Sequence, residues 1–294
     1  MFGMRMVHWL LIGLAACLLG TLLWGFFEAR ADPIVRRADV AMADWPVEAP
    51  PLRLVLLSDV HAGNLVGTPA RLARVVTQVN ALKPDLVLIA GDFTPGEEAI
   101  DAATATASLA PLKQLRARLG VVAVPGNHDH WTGLGAVRGA LGAAGVTLLA
   151  NQATVRGPLA IAAVDDVYSE HARTAPTIAA ARRLRGAKLV LTHSPDIALE
   201  LPPDFPLLLA GHTHCGQVVI PFHGSLDPVS RYDDRFRCGV IREGSRTVIV
   251  TAGIGGSLPF RLNAPPDLWL LTLGPGSSSH APAKAGPQGR TVLR

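Results

Sequence analysis

Five short apolar runs in this chain each end on a side chain able to bind a metal ion. Residues 54–57 lead into Ser58-Asp59-Val60-His61, 86–90 into Gly91-Asp92, and 121–124 into Pro125-Gly126-Asn127-His128-Asp129. Residues 189–191 lead into Thr192-His193, and 207–210 into Gly211-His212-Thr213-His214. Short apolar runs bounded by Gly, Pro or polar residues read as buried strands of a layered fold. In open α/β sheets ligands bind just beyond the carboxyl ends of strands, so five such ends predict one constellation on one rim. Half-buried carboxylates and imidazoles are costly without partners, which argues against scattered, unrelated roles.

Strands are expected at 53–57, 85–90, 121–124, 159–164, 188–192, 207–210, 247–251 and 268–273. Between them, 69–82 predicts a helix: Thr68 caps it, Pro69 suits its first position, and Leu72, Val75, Val76 and Val79 share a face. Residues 97–118, broken or kinked at Pro111, and 172–185 also read as helical. This alternation implies an α/β sandwich. No internal repeat is visible.

The donor set argues for two ions. Asp59 and Asp92 offer carboxylates, His61, His193, His212 and His214 offer imidazoles, and Asn127 offers an amide oxygen. These exceed what one tetrahedral ion needs, and a carboxylate such as Asp92 is able to bridge a pair about 3.5–4 Å apart. Mixed nitrogen and oxygen donors suit Mn, Fe or Zn better than Mg or Ca, with Mn preferred. Two divalent ions outweigh the two carboxylates, so the site attracts an anion such as phosphate. Any one of these histidines alone reads best as structural; the set reads as a metal centre. A serine hydrolase has no support, because no G-x-S-x-G lies between a strand and a helix.

Residues 9–27 carry no charge, and at about 1.5 Å per residue they span roughly 28 Å, close to the hydrocarbon thickness. Trp9, Trp24, Phe26 and Phe27 sit at the ends of this run. Residues 1–27 therefore read as an uncleaved membrane anchor; a signal peptide cut at Ala29-Arg30-Ala31 is the alternative. Arg5 precedes the run and Arg30, Arg36 and Arg37 follow it, a count that favours a cytoplasmic catalytic domain. Residues 28–50 read as a linker whose alternation around Ile34, Val35, Val40 and Met42 allows an edge strand. Residues 51–273 form the block large enough for a core, and 274–294, rich in Gly, Pro, Ser and Ala, read as a disordered tail. With 49% hydrophobic and 17% charged residues the chain as a whole is not a disordered one, and a net charge of +4 suits an anionic membrane surface or substrate; no nucleic-acid partner is expected. Three cysteines make no disulfide scaffold; Cys215 and Cys238 either pair or stay free.

Taken in order, Asp59-Val60-His61, Gly91-Asp92, Gly126-Asn127-His128-Asp129, His193 and Gly211-His212-Thr213-His214 resemble the five motif blocks of calcineurin-like metallophosphoesterases. The N-terminal anchor, the GHTHCGQ stretch and the run from Gly253 to Pro266 look like the membrane-associated YkuE/YaeI-type branch, in which Cys215 is more often Gly. The resemblance implies a four-layer α/β/β/α sandwich and hydrolysis of phosphoester or pyrophosphate bonds. It also implies one ion held by Asp59, His61, Asp92 and His214, and a second by Asp92, Asn127, His193 and His212. His128 is then the group that stabilises the transition state or protonates the leaving oxygen, with Asp129 orienting its ring. Some members of that branch hydrolyse UDP-2,3-diacylglucosamine in lipid A synthesis, which here implies a bacterial inner membrane and a lipid-linked or membrane-delivered phosphorylated substrate. The alternatives are a broad phosphodiesterase acting on cell-envelope or nucleotide substrates, and a catalytically silent metal-binding membrane tether.

Outside the five blocks, Arg261 is a candidate substrate-binding residue for phosphate, and His223 and Tyr232 are candidates for the substrate mouth. Asp165-Asp166 reads as a loop or helix cap, and Arg182, Arg183 and Arg185 as a solvated helix face.

Overall fold

Two six-stranded sheets stack face to face in the computed structural model, which describes residues 2–275. The strands are β1 (Ile34–Met42), β2 (Leu52–Leu57), β3 (Leu86–Ala90), β4 (Val121–Val124), β5 (Thr147–Leu148), β6 (Gln152–Arg156), β7 (Leu159–Ala163), β8 (Ala187–Leu191), β9 (Leu207–Ala210), β10 (Val219–Ile220), β11 (Gly224–Ser225), β12 (Gly239–Glu243), β13 (Arg246–Val250) and β14 (Asp267–Pro275). The helices are α1 (Phe2–Arg30), α2 (Pro69–Ala81), α3 (Ala102–Leu109), α4 (Asn127–Thr132), α5 (Leu134–Ala143) and α6 (Thr174–Arg182). The first sheet runs β1-β14-β2-β3-β4-β5 and the second β12-β13-β9-β8-β7-β6; β10 and β11 form a small hairpin.

The inner faces of both sheets share one apolar core, with Leu54, Leu56, Leu88 and Val122 meeting Ile161, Leu189, Leu209 and Ile249. The outer face of the first sheet is covered by α2, α3 and α5, through residues such as Leu72, Val76, Leu109 and Leu141. Ile178 and Ala181 of α6 cover the second sheet. Strands buried on both faces call for apolar side chains at every position, as in β3, β4, β7 and β9; β13 is equally buried but begins with Arg246 and Thr247. The result is the α/β/β/α sandwich with an N-terminal apolar helix.

All eight expected strands form. The helix expected over 69–82 runs Pro69–Ala81, with Thr68 Oγ1 accepting the Arg71 N–H. The helix expected over 97–118 is shorter: α3 ends at Leu109 and Pro111 sits in the 3-10 turn that follows. The expected helix over 172–185 contracts to Thr174–Arg182.

The stretch between helix and domain contains a nine-residue strand. α1 continues to Arg30, three residues follow, and β1 pairs in parallel with β14 from Ile34 to Met42 along the sheet edge. Arg71 of α2 ties the junction down, its Nη2 donating to Ala31 O at 2.7 Å, its Nε to Arg30 O at 3.2 Å, and its Nη1 to Ile254 O. α1 is long and apolar enough to cross a membrane. Of the expected tail 274–294, Gly274 and Pro275 close β14, and 276–294 lie outside the described residues.

Candidate metal centre

The loops after β2, β3, β4, β8 and β9 open on the same rim, and all seven candidate ligands lie there. Five of them, Asp59, His61, Asp92, His212 and His214, adopt positive φ between 43° and 70°. Non-glycine residues seldom occupy this left-handed region, and strain of this kind persists only where the surrounding fold enforces it. Gly91, at φ 82°, lets the β3 loop pass close to its neighbour: a Cβ there would lie 2.7 Å from Gly126 N and 2.8 Å from His193 Nδ1.

Asp92 stands in the middle. Its Oδ2 is 3.2 Å from His193 Nε2 and 3.6 Å from His61 Nε2. His214 Nε2 is 3.5 Å from Asp59 Oδ1. Asn127 Oδ1 and His212 Nδ1 each lie 3.1 Å from His193 Nε2. One ligand atom from each of Asp59, His61 and His214 falls within 4.8 Å of the others, and the same holds for Asp59, Asp92 and His193. His193 donates Nδ1–H to Ala90 O at 2.6 Å, which fixes the ring with Nε2 turned toward Asp92, Asn127 and His212.

The electrostatics separate His193 from the other rings: burial acts downward on it but is outweighed by Asp92 and Asp59, which hold it well above its ordinary value. Burial pushes Asp59 up to about 6, against the pull of His193, and pushes His61 and His212 down to about 4, so these rings are neutral and ready to donate lone pairs. His214 is held well below its usual value by burial and then by Arg261. For Asp92, burial acts upward but is outweighed by His193, His61 and His128, and the carboxyl ends below its ordinary range. Asp59 Oδ1, both ring nitrogens of His61 and His212 Nε2 are buried with no hydrogen-bond partner. Buried polar atoms are rarely left this way, and several converging lone pairs are what a cation satisfies. The donor set thus fits a pair of cations.

His128 borders the cluster, with one ring nitrogen within 4.8 Å of ligand atoms of His61 and Asp92. Its Nδ1 donates to Gly96 O at 2.5 Å, its ring lies 5.0 Å from that of His61, and it is partly exposed at the open side. Asp129 does not touch that ring, contrary to the orienting role expected from sequence. Its carboxylate turns inward and accepts the N–H groups of Asp92 (3.0 Å), Phe93 (2.8 Å), Thr94 (3.3 Å) and Gly126 (2.9 Å). At an N3 position of α4, reaching back to the cap residue is the side chain's shortest route to a partner.

Arg261 is likewise not at the open face, which corrects the expected phosphate contact. It is 1% exposed; Nη2 donates to Ala252 O (2.7 Å) and Gly255 O (2.6 Å), Nη1 donates to Ala264 O (2.9 Å), and Nη2 stands 3.1 Å from His214 Nδ1. It holds the 252–264 loop behind His214. Tyr232 packs on Phe236 beside the α6 core, whereas His223 is exposed on the β10–β11 turn. Asp166 caps a turn by accepting from Ser169 N and Oγ, and Asp165 bonds His130 at 2.8 Å. Cys215 and Cys238 form a disulfide, and Cys215 has φ 55°, the conformation that favours glycine.

Sequence reading missed Trp131 and Tyr168, half-exposed aromatics beside the site. Trp131 lies 4.8 Å from His128 and Tyr168 4.7 Å from His212, between ring centroids. Only the spacing of Trp131, three residues after His128, hinted at a shared helical face.

The calcineurin-like phosphoesterase family model matches residues 52–216. A Danio rerio transmembrane protein with metallophosphoesterase domain is 32% identical over 260 residues, covering 81% of this chain and 57% of that protein. The chain thus spans little more than half the length of that relative. Phosphodiesterase YaeI of Escherichia coli strain K12 is 29% identical over 242 residues, covering 79% of this chain and 86% of YaeI. The uncharacterized metallophosphoesterase YkuE of Bacillus subtilis strain 168 is 31% identical over 232 residues, covering 75% and 78%.

Proposed function

This chain belongs to the calcineurin-like phosphoesterases, and on that premise we propose that it hydrolyses a phosphodiester or pyrophosphate bond of a membrane-presented substrate, using two divalent ions. The observation that carries this is the convergence of two carboxylates, four imidazoles and one amide oxygen on a single rim, with four of their atoms buried and unpartnered. Asp59, His61, Asp92 and His214 would hold one ion, and Asp92, Asn127, His193 and His212 the other, with Mn the preferred metal.

Such a pair supplies Lewis-acid stabilisation of charge on the phosphoryl oxygens and acidifies the attacking water. The protein's own groups do the rest. His128, its Nδ1 held by Gly96 O beside the ligands, would pass a proton from Nε2 to the leaving oxygen. Asp129 is a positioning residue that keeps the Asp92 loop in register with the Asn127 loop. Trp131 and Tyr168 flank the opening and offer apolar walls to a leaving group.

We further propose that the catalytic domain faces an oxidising compartment. Of the arginines that favour the cytoplasmic side, Arg36 and Arg37 belong to β1, and Arg36 pairs with Asp267. Both sit in a strand of the domain, Arg36 part-buried and Arg37 exposed, and the Cys215–Cys238 disulfide favours the non-cytoplasmic side. A lipid phosphate of the cell envelope then suits the site better than UDP-2,3-diacylglucosamine, whose nucleotide belongs to the cytoplasm. Full-length protein loaded with Mn, assayed on lipid phosphodiesters, UDP-diacylglucosamine, cyclic nucleotides and bis-p-nitrophenyl phosphate, tests this. Turnover of the lipid phosphates supports the reading, turnover of UDP-diacylglucosamine alone restores the lipid A assignment, and no turnover of any ester contradicts both.

A further inference from the structure

The end of the membrane helix is fastened to the rim of the metal centre. Phe260 lies against Gly25, where any Cβ would collide with its ring, and the Arg261 N–H donates to Gly25 O at 3.0 Å. If residues 9–27 fill the hydrocarbon, Gly25 lies only about 3 Å inside its boundary at about 1.5 Å per residue. The loop around Phe260 therefore stands at headgroup level whenever the helix spans.

That loop does not stand alone. Asn64, in the loop after His61, donates Nδ2–H to Gly256 O at 2.9 Å. Gln217, three residues after His214, donates Nε2–H to Phe260 O at 3.2 Å, and Val219 N–H donates to Leu262 O at 2.9 Å. Three loops that issue from the site are thus bound side by side, and each carries a bare apolar tip. Leu65 is 66% exposed, Leu258 65%, and Phe222 is fully exposed. Large apolar side chains held out together beside the exit of a spanning helix have one natural solvent. The helix end adds an exposed Arg30, with its guanidinium 5.1 Å over Phe26, suited to anionic headgroups.

We propose that Leu65, Phe222 and Leu258 insert into the interfacial layer of the bilayer that α1 crosses, laying the mouth of the metal centre on the lipid surface. This rests on the phosphoesterase reading for its consequence: the substrate is a phosphate ester or anhydride within a lipid headgroup, taken from that same leaflet without leaving it. The occupant is lipid, because the rim is continuous with the span itself.

The test uses the full chain in nanodiscs holding one copy each, with Cys17→Ser removing the free thiol among the described residues. Single substitutions Phe222→Cys and Leu258→Cys are labelled with a polarity-sensitive fluorophore. Val47→Cys is the control, since Val47 follows β1 near Asp44, which bonds Lys188 N at the opposite end of the strands. The expected result is blue-shifted emission at 222 and 258, largely quenched by lipids brominated near the headgroup boundary, with neither effect at 47. Emission at 222 and 258 matching that at 47 overturns the proposal. A blue shift without bromolipid quenching also overturns it, by assigning the rim to a protein surface. Hydrolysis of bis-p-nitrophenyl phosphate by the same discs is scored separately, so loss of the phosphoesterase reading and loss of lipid docking are distinguishable.

Discussion

The carboxylate of Asp129 accepts the backbone N–H of Asp92 at 3.0 Å and spends its remaining lone pairs on three other backbone donors. Asp129→Ala strands these buried N–H groups, each unmet donor costing about 1–3 kcal/mol. We expect a lowered melting temperature together with reduced metal content, read by calorimetry and elemental analysis. Full metal content with only turnover lost would return Asp129 to the side of His128.

His128 makes the opposite prediction. Its ring is held by Gly96 O at Nδ1 and carries no backbone donors of the ligand loops. His128→Gln lowers kcat by about 10²–10⁴, the usual range for a lost general acid, with metal content and stability unchanged. The effect is expected to shrink for esters with good leaving groups such as p-nitrophenol, because they need less protonation. An equal loss across leaving groups would argue for a different role.

Arg71 joins helix, strand and site through three backbone carbonyls at 30, 31 and 254. Arg71→Met keeps the aliphatic stem and leaves those carbonyls without their donor. Hydrogen exchange is expected to accelerate at residues 29–34 and 253–256 and to stay unchanged in β3 and β4. Uniform acceleration throughout the domain would mean that the junction is not a local clamp.

The Cys215–Cys238 link closes a loop of sequence separation 23, which constrains the unfolded chain by about 3 kcal/mol on the chain-entropy account. Cys238→Ser should lower the melting temperature by roughly 6–12 °C in a domain of this size. In intact cells the pair should resist maleimide until reductant is added. Free, readily alkylated thiols at both positions would place the domain in a reducing compartment and contradict the outward orientation.

Much of the site was legible because each ligand follows directly on a strand that apolar content alone identifies: Leu86 to Ala90 could hardly end anywhere but at Gly91-Asp92. Helix α2 was equally readable, since Thr68 and Pro69 mark its start by local chemistry. What stayed hidden depends on where a side chain turns after the backbone is fixed. Asp129 is one residue from His128 yet points to the other side, and Arg261, a plausible anion contact by composition, is drawn inward by the carbonyls of its own loop. Long-range pairings were equally silent. No local signal tells Ile34 to pair with Asp267, Cys215 with Cys238, or Phe260 to seat on Gly25. Edge position of β1 was foreshadowed by alternation at Val40 and Met42, but its parallel partner was not.

Metal stoichiometry tests the central claim most directly, because Asp92 faces donors assigned to both ions. Elemental analysis of full-length protein, purified with Mn and freed of loose ions, should give about two ions per chain, as the two-metal arrangement requires. Asp92→Asn should reduce this to one or none while the fold persists by circular dichroism. Hydrolysis that continues in protein stripped of all divalent metal, or a full complement retained by Asp92→Asn, would contradict the account.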